Sequence, residues 1–523
     1  MRIVGLACGA HDTAYSIMED GDVTIHEEYE RFSRVKEQQG DVLEFFFDRN
    51  PDMGKVDYFT HFVMRWRGGL QAQYPQSFAK MQNHIGRHGG KYIEISHHKA
   101  HAANAFFSSN FDEALIVTMD GGGEEFEQEG YSTTCLTVYE GKDNHIKLLK
   151  RFPFSVNVGG FWSNITKETF GYSSGPPKGN QCGTVMGMAA YAREPAKYLD
   201  EMLLLMRTGN MTQFSKWSDL PFDEKLNVAA ALQNATEIYV EELLRPFAVD
   251  TKSANICLAG GVALNSVMTG NMFDWYDGKF KNIYVCPVPY DAGLAIGCSQ
   301  YIWHCIEENP RVYTNKNFTP YLGKTYPLSA VEATIEENSD IVSYEKVTDD
   351  DVLKKLKEKN IIAVFGGGSE SGRRALGNRS ILADPSHDDM RYVLNQKVKH
   401  RDWFRPFAPS ITREKVSEWF VRDLSAPYMG FVINFKEDKK DKVPAVLHAD
   451  ASGRLQTVTA EDNPWYHGFI SRWEELYGIP IVLNTSFNDR EPIVETPTHA
   501  MNCFLKTNID YLYFYDHGLL VKK

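Results

Sequence analysis

Residues 112–152 read DEALIVTMDGGGEEFEQEGYSTTCLTVYEGKDNHIKLLKRF, and their layout decides the fold. An apolar strand runs into a carboxylate and three glycines at Asp120 to Gly123; a second strand, a turn and a third strand follow. The stretch RIVGLACGAHDTAYSIMEDGDVTIHEEYE (2–30) has the same order: strand, tight turn, strand, turn at Asp20-Gly21, strand. Antiparallel meanders also recur by themselves. Two copies of one β-turn-β-turn-β unit, each with polar residues and glycines at its first turn, nonetheless suggest an internal duplication.

The chain has 523 residues, 43% of them hydrophobic, enough for more than one core. Its formal net charge of −13 disfavours a long polyanion lying across the whole surface. A local basic pocket for a small phosphate compound remains compatible with it. The eight cysteines are scattered with no CxxC pair, which argues against a zinc ribbon or a disulfide framework and for a reducing compartment. The N-terminal apolar run imitates a signal peptide but is short and meets His11 and Asp12 at once, so it reads as a buried first strand. No segment reaches the roughly 18 apolar residues of a membrane span. The expectation is a soluble, cytoplasmic protein.

Beyond the second meander, NVAAALQNATEIYVEELLRPFA reads as helix. AGGVALN (259–265) gives a Gly-Gly turn after a strand, which would bring backbone N–H groups and a helix start to a nucleotide. NIYVCPVPYDAGLAIGCSQYIWHCI follows as strand, loop and apolar helix. The stretch 308–326, rich in Pro, Asn and Gly, breaks the periodicity and marks a domain boundary. Strands and helices alternate from there to the end.

YIEISHHKAHAANAFF (92–107) concentrates three histidines. Ser96 stands where it can cap a helix, on which His97 and His101 share a face while His98 is turned about a quarter of the way round. The pattern is not H-E-x-x-H, so a zincin-type hydrolase is a poor reading. Such a pair is by itself more often packing than a ligand set. Oxygen donors are available from Asp120, at a strand end before glycines, and Asp291 in PVPYDAG; each of these also serves as a turn or N-cap residue elsewhere. Two imidazoles and two carboxylates suit Fe(II), Mn or Zn.

The last third carries three basic runs. GGGSESGRRALGNRSILADP (366–385) holds Arg373, Arg374 and Arg379; NQKVKHRDWFRPFAPS (395–410) holds Lys397, Lys399, Arg401 and Arg405; SGRLQTV adds Arg454. VLNTSFND (482–489) contributes Asn484, Ser486 and Asn488 at a strand end. Cations interleaved with Gly, Ser, Asn and buried aromatics suit a phosphate or nucleotide pocket better than a solvated face.

Taken together, these strings resemble the NodU/TobZ-type O-carbamoyltransferases almost end to end, through HD at 11–12, ERFSRVK, HHKAHAANAFF, MDGGG, VMGMAAYA, AGGVALN, DAGLAIG, RRALGNRSILADP, KHRDWFRPFAPS, HADASGRLQTV and NTSFNDREPIVETP. The resemblance implies an α/β protein. Residues 1–318 would form a Kae1-like carbamoyl-transfer domain of the duplicated actin/Hsp70/sugar-kinase class. Residues 319–523 would form a YrdC-like α/β domain that makes carbamoyl adenylate from carbamoyl phosphate and ATP with Mg²⁺. A metal, usually Fe(II), then assists transfer to an acceptor hydroxyl on a sugar, a secondary metabolite or a hydroxymethylated nucleotide or base. By motif, the metal ligands are His97, His101, Asp120 and Asp291, and the adenylate pocket uses Gly121, Gly122, Gly260, Gly261 and Asn265. His11, Asp12 and Lys36 face the carbamoyl group and acceptor, with His11 as general base. ATP and carbamoyl phosphate meet Lys399, Arg401, Arg405, Arg454, Asn484, Ser486 and Asn488.

Two departures stand out. Cys182 and Thr184 replace a Glu and a Lys usual in this family, and Arg373 replaces a Pro. The alternatives are a tRNA threonylcarbamoylation-type enzyme, which the net charge disfavours, and a nucleotide-binding regulator with a degenerate site. A hydrogenase-maturation carbamoyltransferase lacks support because its CxxC pairs are missing.

Overall fold

The computed structural model describes residues 1–127, 130–313 and 317–523. Residues 128–129, in the second meander, and 314–316, in the boundary stretch 308–326, lie outside the described residues. The chain separates into two compact units, Met1–Phe318 and Thr319–Lys523.

The first unit is built on two five-stranded sheets. In one, β1 (Arg2–Ala7), β2 (Ala14–Glu19) and β3 (Asp22–Glu28) form an antiparallel meander. β4 (Tyr58–Phe62) and β5 (Lys91–Ile95) add in parallel beside β1, giving the order β3-β2-β1-β4-β5. The other sheet repeats this strand for strand. β6 (Glu113–Glu127), β7 (Gly130–Lys142) and β8 (His145–Arg151) make the meander. After a small hairpin, β9 (Ser174–Gly175) and β10 (Gly179–Asn180), the parallel pair β11 (Asn255–Ala259) and β12 (Asn282–Val285) completes the order β8-β7-β6-β11-β12. Two copies of one five-strand topology are the duplicated actin/Hsp70/sugar-kinase architecture.

One local expectation is corrected. The chain does not turn at Asp120 to Gly123; β6 continues through them, and its ladder with β7 shifts register between Met119 and Gly123. Three glycines after Asp120 let the backbone bulge without losing its partner strand, and pairing resumes at Gly123 opposite Thr134. The bulge re-aims Asp120 while leaving the sheet intact.

Two helices pack between these sheets. The helix His97–Ser108 is buried at every position except Lys99 and lies against β6 and β11; the helix Leu294–Tyr301 lies against β1 and β4. They touch each other backbone to backbone. A Cβ at Gly297 would stand 1.9 Å from the Ala100 carbonyl oxygen, and one at Gly5 of β1 would stand 1.9 Å from that of Ala295. Only glycine fits such approaches.

The second unit carries a nine-stranded mixed sheet. Its strands are β13 (Ser343–Lys346), β14 (Ile362–Phe365), β15 (Arg379–Ala383), β16 (Ala408–Thr412), β17 (Phe431–Asn434), β18 (Ser452–Val458), β19 (Ile481–Ser486), β20 (Tyr511–Phe514) and β21 (Leu519–Lys522). Their order is β13-β21-β20-β14-β15-β19-β16-β18-β17. The helix Asp349–Lys357 begins in a Thr348/Asp351 capping box, with acidic residues in its first turn and lysines in its last, so cap and dipole agree. Its Val352 and Leu356 join Phe469 and Trp473 of the helix Pro464–Tyr477 over Ile362 and Tyr513 of the sheet.

Candidate functional site

Four side chains converge in the first unit. His97 Nε2 lies 3.3 Å from Asp120 Oδ2 and 3.8 Å from Asp291 Oδ1, and His101 Nε2 lies 3.1 and 3.5 Å from the same two oxygens. All four donor atoms fall within 4.8 Å of one another. With metal–ligand bonds of about 2.1 Å, the edge of a tetrahedral site is about 3.4 Å, so these separations fit a divalent cation. Both histidines are buried and both carboxylates are nearly so.

The four ligands come from three elements. The two histidines sit one turn apart on the helix His97–Ser108. The bulge in β6 presents Asp120, whose Oδ1 accepts the N–H of Gly121 (2.8 Å) and of Gly261 (3.4 Å), leaving Oδ2 toward the imidazoles. Asp291 comes from the loop after β12. Asn104 of the histidine helix donates to the Val288 carbonyl of that loop (2.8 Å), and Gly260 N donates to Pro289 O (2.7 Å). Second partners of this kind orient ligands before any ion arrives.

The charges are mutually supporting. Burial pushes the Asp120 carboxyl up, but its bonds to His101 and His97 outweigh this and hold it well below the usual range. Burial pulls His101 down, yet its bonds to Asp120 and Asp291 carry it to about 9. His98 stands apart. Its Nε2 donates to the Thr134 carbonyl (2.9 Å), which makes Nδ1 the acceptor of the Thr118 hydroxyl (2.7 Å). Both nitrogens are used, and burial holds the ring neutral.

The Ser96 hydroxyl does not cap the histidine helix. It accepts the N–H of Phe126 (3.0 Å), while the His98 N–H goes to the buried Glu125 carboxylate (2.6 Å). Glu125 also receives Arg151 (3.3 Å), so an acid from β6 fixes the first turn of the ligand helix. Sequence reading passed over Glu125; its one signal is a carboxylate on an otherwise inward-facing strand position.

His11 and Asp12 occupy the turn after β1. His11 Nδ1 lies 2.7 Å from Asp12 Oδ2, and a Cβ at Gly9 would stand 3.8 Å from Asp291 Oδ2, so this turn borders the cluster. Burial lowers the affinity of His11 for its proton, but the bond to Asp12 and the charges of Asp12, Asp291 and Glu37 raise it to about 10. Lys36 packs against the β9–β10 hairpin, 3.1 Å from where a Cβ on Gly179 would stand. Among the expected adenylate residues, Gly121 faces open space, and Gly122 is exposed. Gly260 (φ +86°) abuts Met119, with no room for a side chain. Asn265 caps the helix Ser266–Asn271 and pairs reciprocally with Gln233 (2.9 and 3.2 Å), so its amide is largely occupied.

In the second unit the basic runs separate into two kinds. Arg401 lies within the fields of Arg405 and Arg454, and Arg454 within those of Arg374 and Arg405. Burial and these neighbours press both guanidiniums well below their usual range, with Asp402 alone opposing at Arg401. A guanidinium keeps its proton, so the pressure marks a concentration of positive charge that an anion would relieve. Arg454 Nε is buried without a partner. Lys399 is different: its Nζ donates to Ser486 O and Asn488 O (both 2.7 Å) and Asn488 Oδ1 (2.5 Å), tying two runs together. Asn484 donates to Ala375 O and Gln456 Oε1 inside the fold. Arg379, read as part of the basic pocket, is fully buried over the Phe365 ring and donates to Gly366 and Asn378 carbonyls; it braces the loop instead. Glu370 Oε1 gathers the N–H groups of Leu376, Asn378 and Arg379 and so shapes the loop carrying Arg373 and Arg374.

Among the described residues no helix is long and apolar enough to cross a membrane, and all eight cysteines are free.

A carbamoyltransferase N-terminus family model matches residues 89–219 and 210–300, and a carbamoyltransferase C-terminus model matches residues 353–522. An uncharacterized protein of Synechocystis sp. is 32% identical, over 98% of this chain and 95% of its own. Nodulation protein NolO of Bradyrhizobium diazoefficiens is 32% identical, over 80% of this chain and 77% of its own. Among solved structures, HypF of T. kodakarensis aligns with 59% of this chain and 48% of its own length, at 14% identity and a TM-score of 0.38.

Proposed function

Since the chain belongs to the carbamoyltransferase family, we propose that it is an ATP-dependent O-carbamoyltransferase whose two units divide the work. Carbamoyl phosphate, ATP and one water give carbamoyl adenylate, phosphate and pyrophosphate at the arginine cluster of the second unit. The acceptor hydroxyl then attacks the carbamoyl carbon at the His/Asp cluster of the first unit, and AMP leaves. The observation that carries this reading is the His97, His101, Asp120, Asp291 cluster, with donor separations of a metal site inside a chain of this family.

Arg401, Arg405 and Arg454, with Arg374 beside them, bind the phosphate oxygens and offset their charge; forked guanidinium donors suit both carbamoyl phosphate and ATP with its Mg²⁺. Lys399 positions Ser486 and Asn488 along that site. In the first unit, His97, His101, Asp120 and Asp291 would hold a divalent cation, Fe(II) in this reading. When bound, such an ion supplies a positive charge that polarises the carbamoyl carbonyl and the phosphate. Gly121, Gly122, Gly260 and Gly261 bring backbone close to the adenylate, and Lys36 adds a cation on the acceptor side. His11, steered by Asp12, accepts the acceptor's proton. His11 must first release its own proton, which the bond to Asp12 and the charge of Asp12 hold, before it can take up the acceptor's.

Mass spectrometry across hydroxylated acceptors should find the gain of one carbamoyl group. His97→Ala should abolish transfer and leave acceptor-independent pyrophosphate release, whereas Arg454→Ala should abolish both. A wild-type chain that releases no pyrophosphate from ATP and carbamoyl phosphate would sink the enzyme reading in favour of a nucleotide-binding regulator.

A further inference from the structure

Of the four clustered ligands, Asp291 stands on the shortest element, a single 3-10 turn (Asp291–Gly293) between the end of β12 and the helix Leu294–Tyr301. A turn that short makes few backbone hydrogen bonds of its own. The place of its carboxylate therefore depends on what holds the residues around it.

Part of that hold comes from the first meander. Tyr290, immediately before the ligand, donates its hydroxyl to Glu28 Oε2 (2.6 Å). Ala292, immediately after it, presents its carbonyl oxygen to His26 Nε2 (3.0 Å). A carbonyl only accepts, so Nε2 carries the ring proton. His26 and Glu28 are alternate residues of β3, so their side chains leave the same face of the sheet, and both are buried, as is Tyr290. Ser16 stands opposite His26 across the β2–β3 ladder and donates to the Ala295 carbonyl (2.9 Å), one turn further on. Asn104 and Gly260 hold Val288 and Pro289 on the other side. Val288, Pro289, Tyr290 and Ala292 are thus each tied to a distant part of the chain, and the Asp291 side chain is left to meet the histidines.

We propose that Glu28 and His26 are positioning residues for Asp291, Glu28 through the Tyr290 hydroxyl and His26 through the Ala292 carbonyl. The first copy of the repeat then sets the geometry of a site whose two carboxylates both lie in the second. This rests on the reading of the His/Asp cluster as a metal site.

The test is Co²⁺ titration of the full chain, followed by calorimetry and by the visible absorption of the bound ion, which reports its coordination. Tyr290→Phe removes one hydroxyl and His26→Leu removes the ring donor. Each should weaken Co²⁺ binding about 10–100-fold and alter the visible spectrum, as loss of an outer partner does at metal sites. Thermal melts establish that the variants are folded at the titration temperature. His26→Gln, which keeps an N–H donor, should recover most of the loss. In Asp291→Ala, which retains three ligands, adding Tyr290→Phe should cost nothing further, because the residue it steers is gone. Should His26→Leu not fold, Tyr290→Phe decides the question by itself. Wild-type affinity with an unchanged spectrum in Tyr290→Phe overturns the proposal. So does an equal loss in the Asp291→Ala background, which would make the contact a general prop of the fold. A wild-type chain that binds no Co²⁺ fails the metal reading itself, whereas one that binds it no better than the variants fails this proposal alone.

Discussion

At the scale of single residues, the site depends on atoms that are absent as much as on those present. A Cβ at Gly123 would stand 2.1 Å from the His97 ring. Gly123→Ala should therefore displace that imidazole and weaken Co²⁺ or Zn²⁺ binding at least about tenfold, one ligand in four being a large share of site affinity; titration calorimetry on the folded variant measures it. Glu125 is the opposite case, a buried carboxylate whose affinity for its proton is raised by burial and which is kept in place by the His98 N–H and Arg151. Glu125→Ala leaves both partners buried and should cost about 3 kcal/mol in denaturant unfolding, while Glu125→Gln, which keeps an acceptor, should cost less. Gly123 closes the MDGGG run and Glu125 lies outside every motif, and nothing in either string names the partner it meets. Their roles are set by what lies across the sheet.

At the scale of elements, the decisive contact is between the helices His97–Ser108 and Leu294–Tyr301. The first brings two ligands, the second follows directly from Asp291, and Gly297 against Ala100 fixes how closely they approach. Gly297→Val should force them apart, destabilising the first unit by about 3 kcal/mol and lowering metal affinity as well. Urea unfolding together with metal titration separates this from a purely local cavity effect. Small residues spaced four apart, Gly293 and Gly297, were visible in DAGLAIG. The partner they fit was not, because a close-packed helix pair is a property of two segments far apart in the chain. The β6 bulge has the same logic. Glycines after Asp120 looked like a turn because local sequence cannot register that β7 continues to pair on both sides.

At the scale of the whole molecule, stability in acid should be limited by histidines buried as neutral rings. His304 stacks on Phe107 at 4.2 Å and His61 on Phe62 at 4.4 Å, and burial pulls each down to about 4. Because each folded-state value lies below the ordinary 6.5, the unfolded chain binds the extra protons. Stability is then full above about pH 6.5 and is lost as pH falls from there toward 4. Each ring contributes about 2 kcal/mol of this loss between pH 7 and pH 5. Thermal melts should show a steep decline over that window, made shallower by His304→Phe whatever its cost at pH 7. A melting temperature flat from pH 7 to 5 would contradict this burial argument.

The amino-acid sequence by itself determined the repeated meander, the one-turn spacing of His97 and His101, the exclusion of His98 from their face, and the concentration of cations in the last third. These follow from strand and helix periodicity and from composition, which are properties of near neighbours. The tertiary structure alone decided that Asp120 and Asp291 meet those histidines. It also decided that Arg401 and Arg454 share one positive field while Lys399 and Arg379 are consumed inside the fold. Hydrogen bonding, Coulomb energy and steric exclusion depend on distance through space, and the chain's path between distant segments sets that distance.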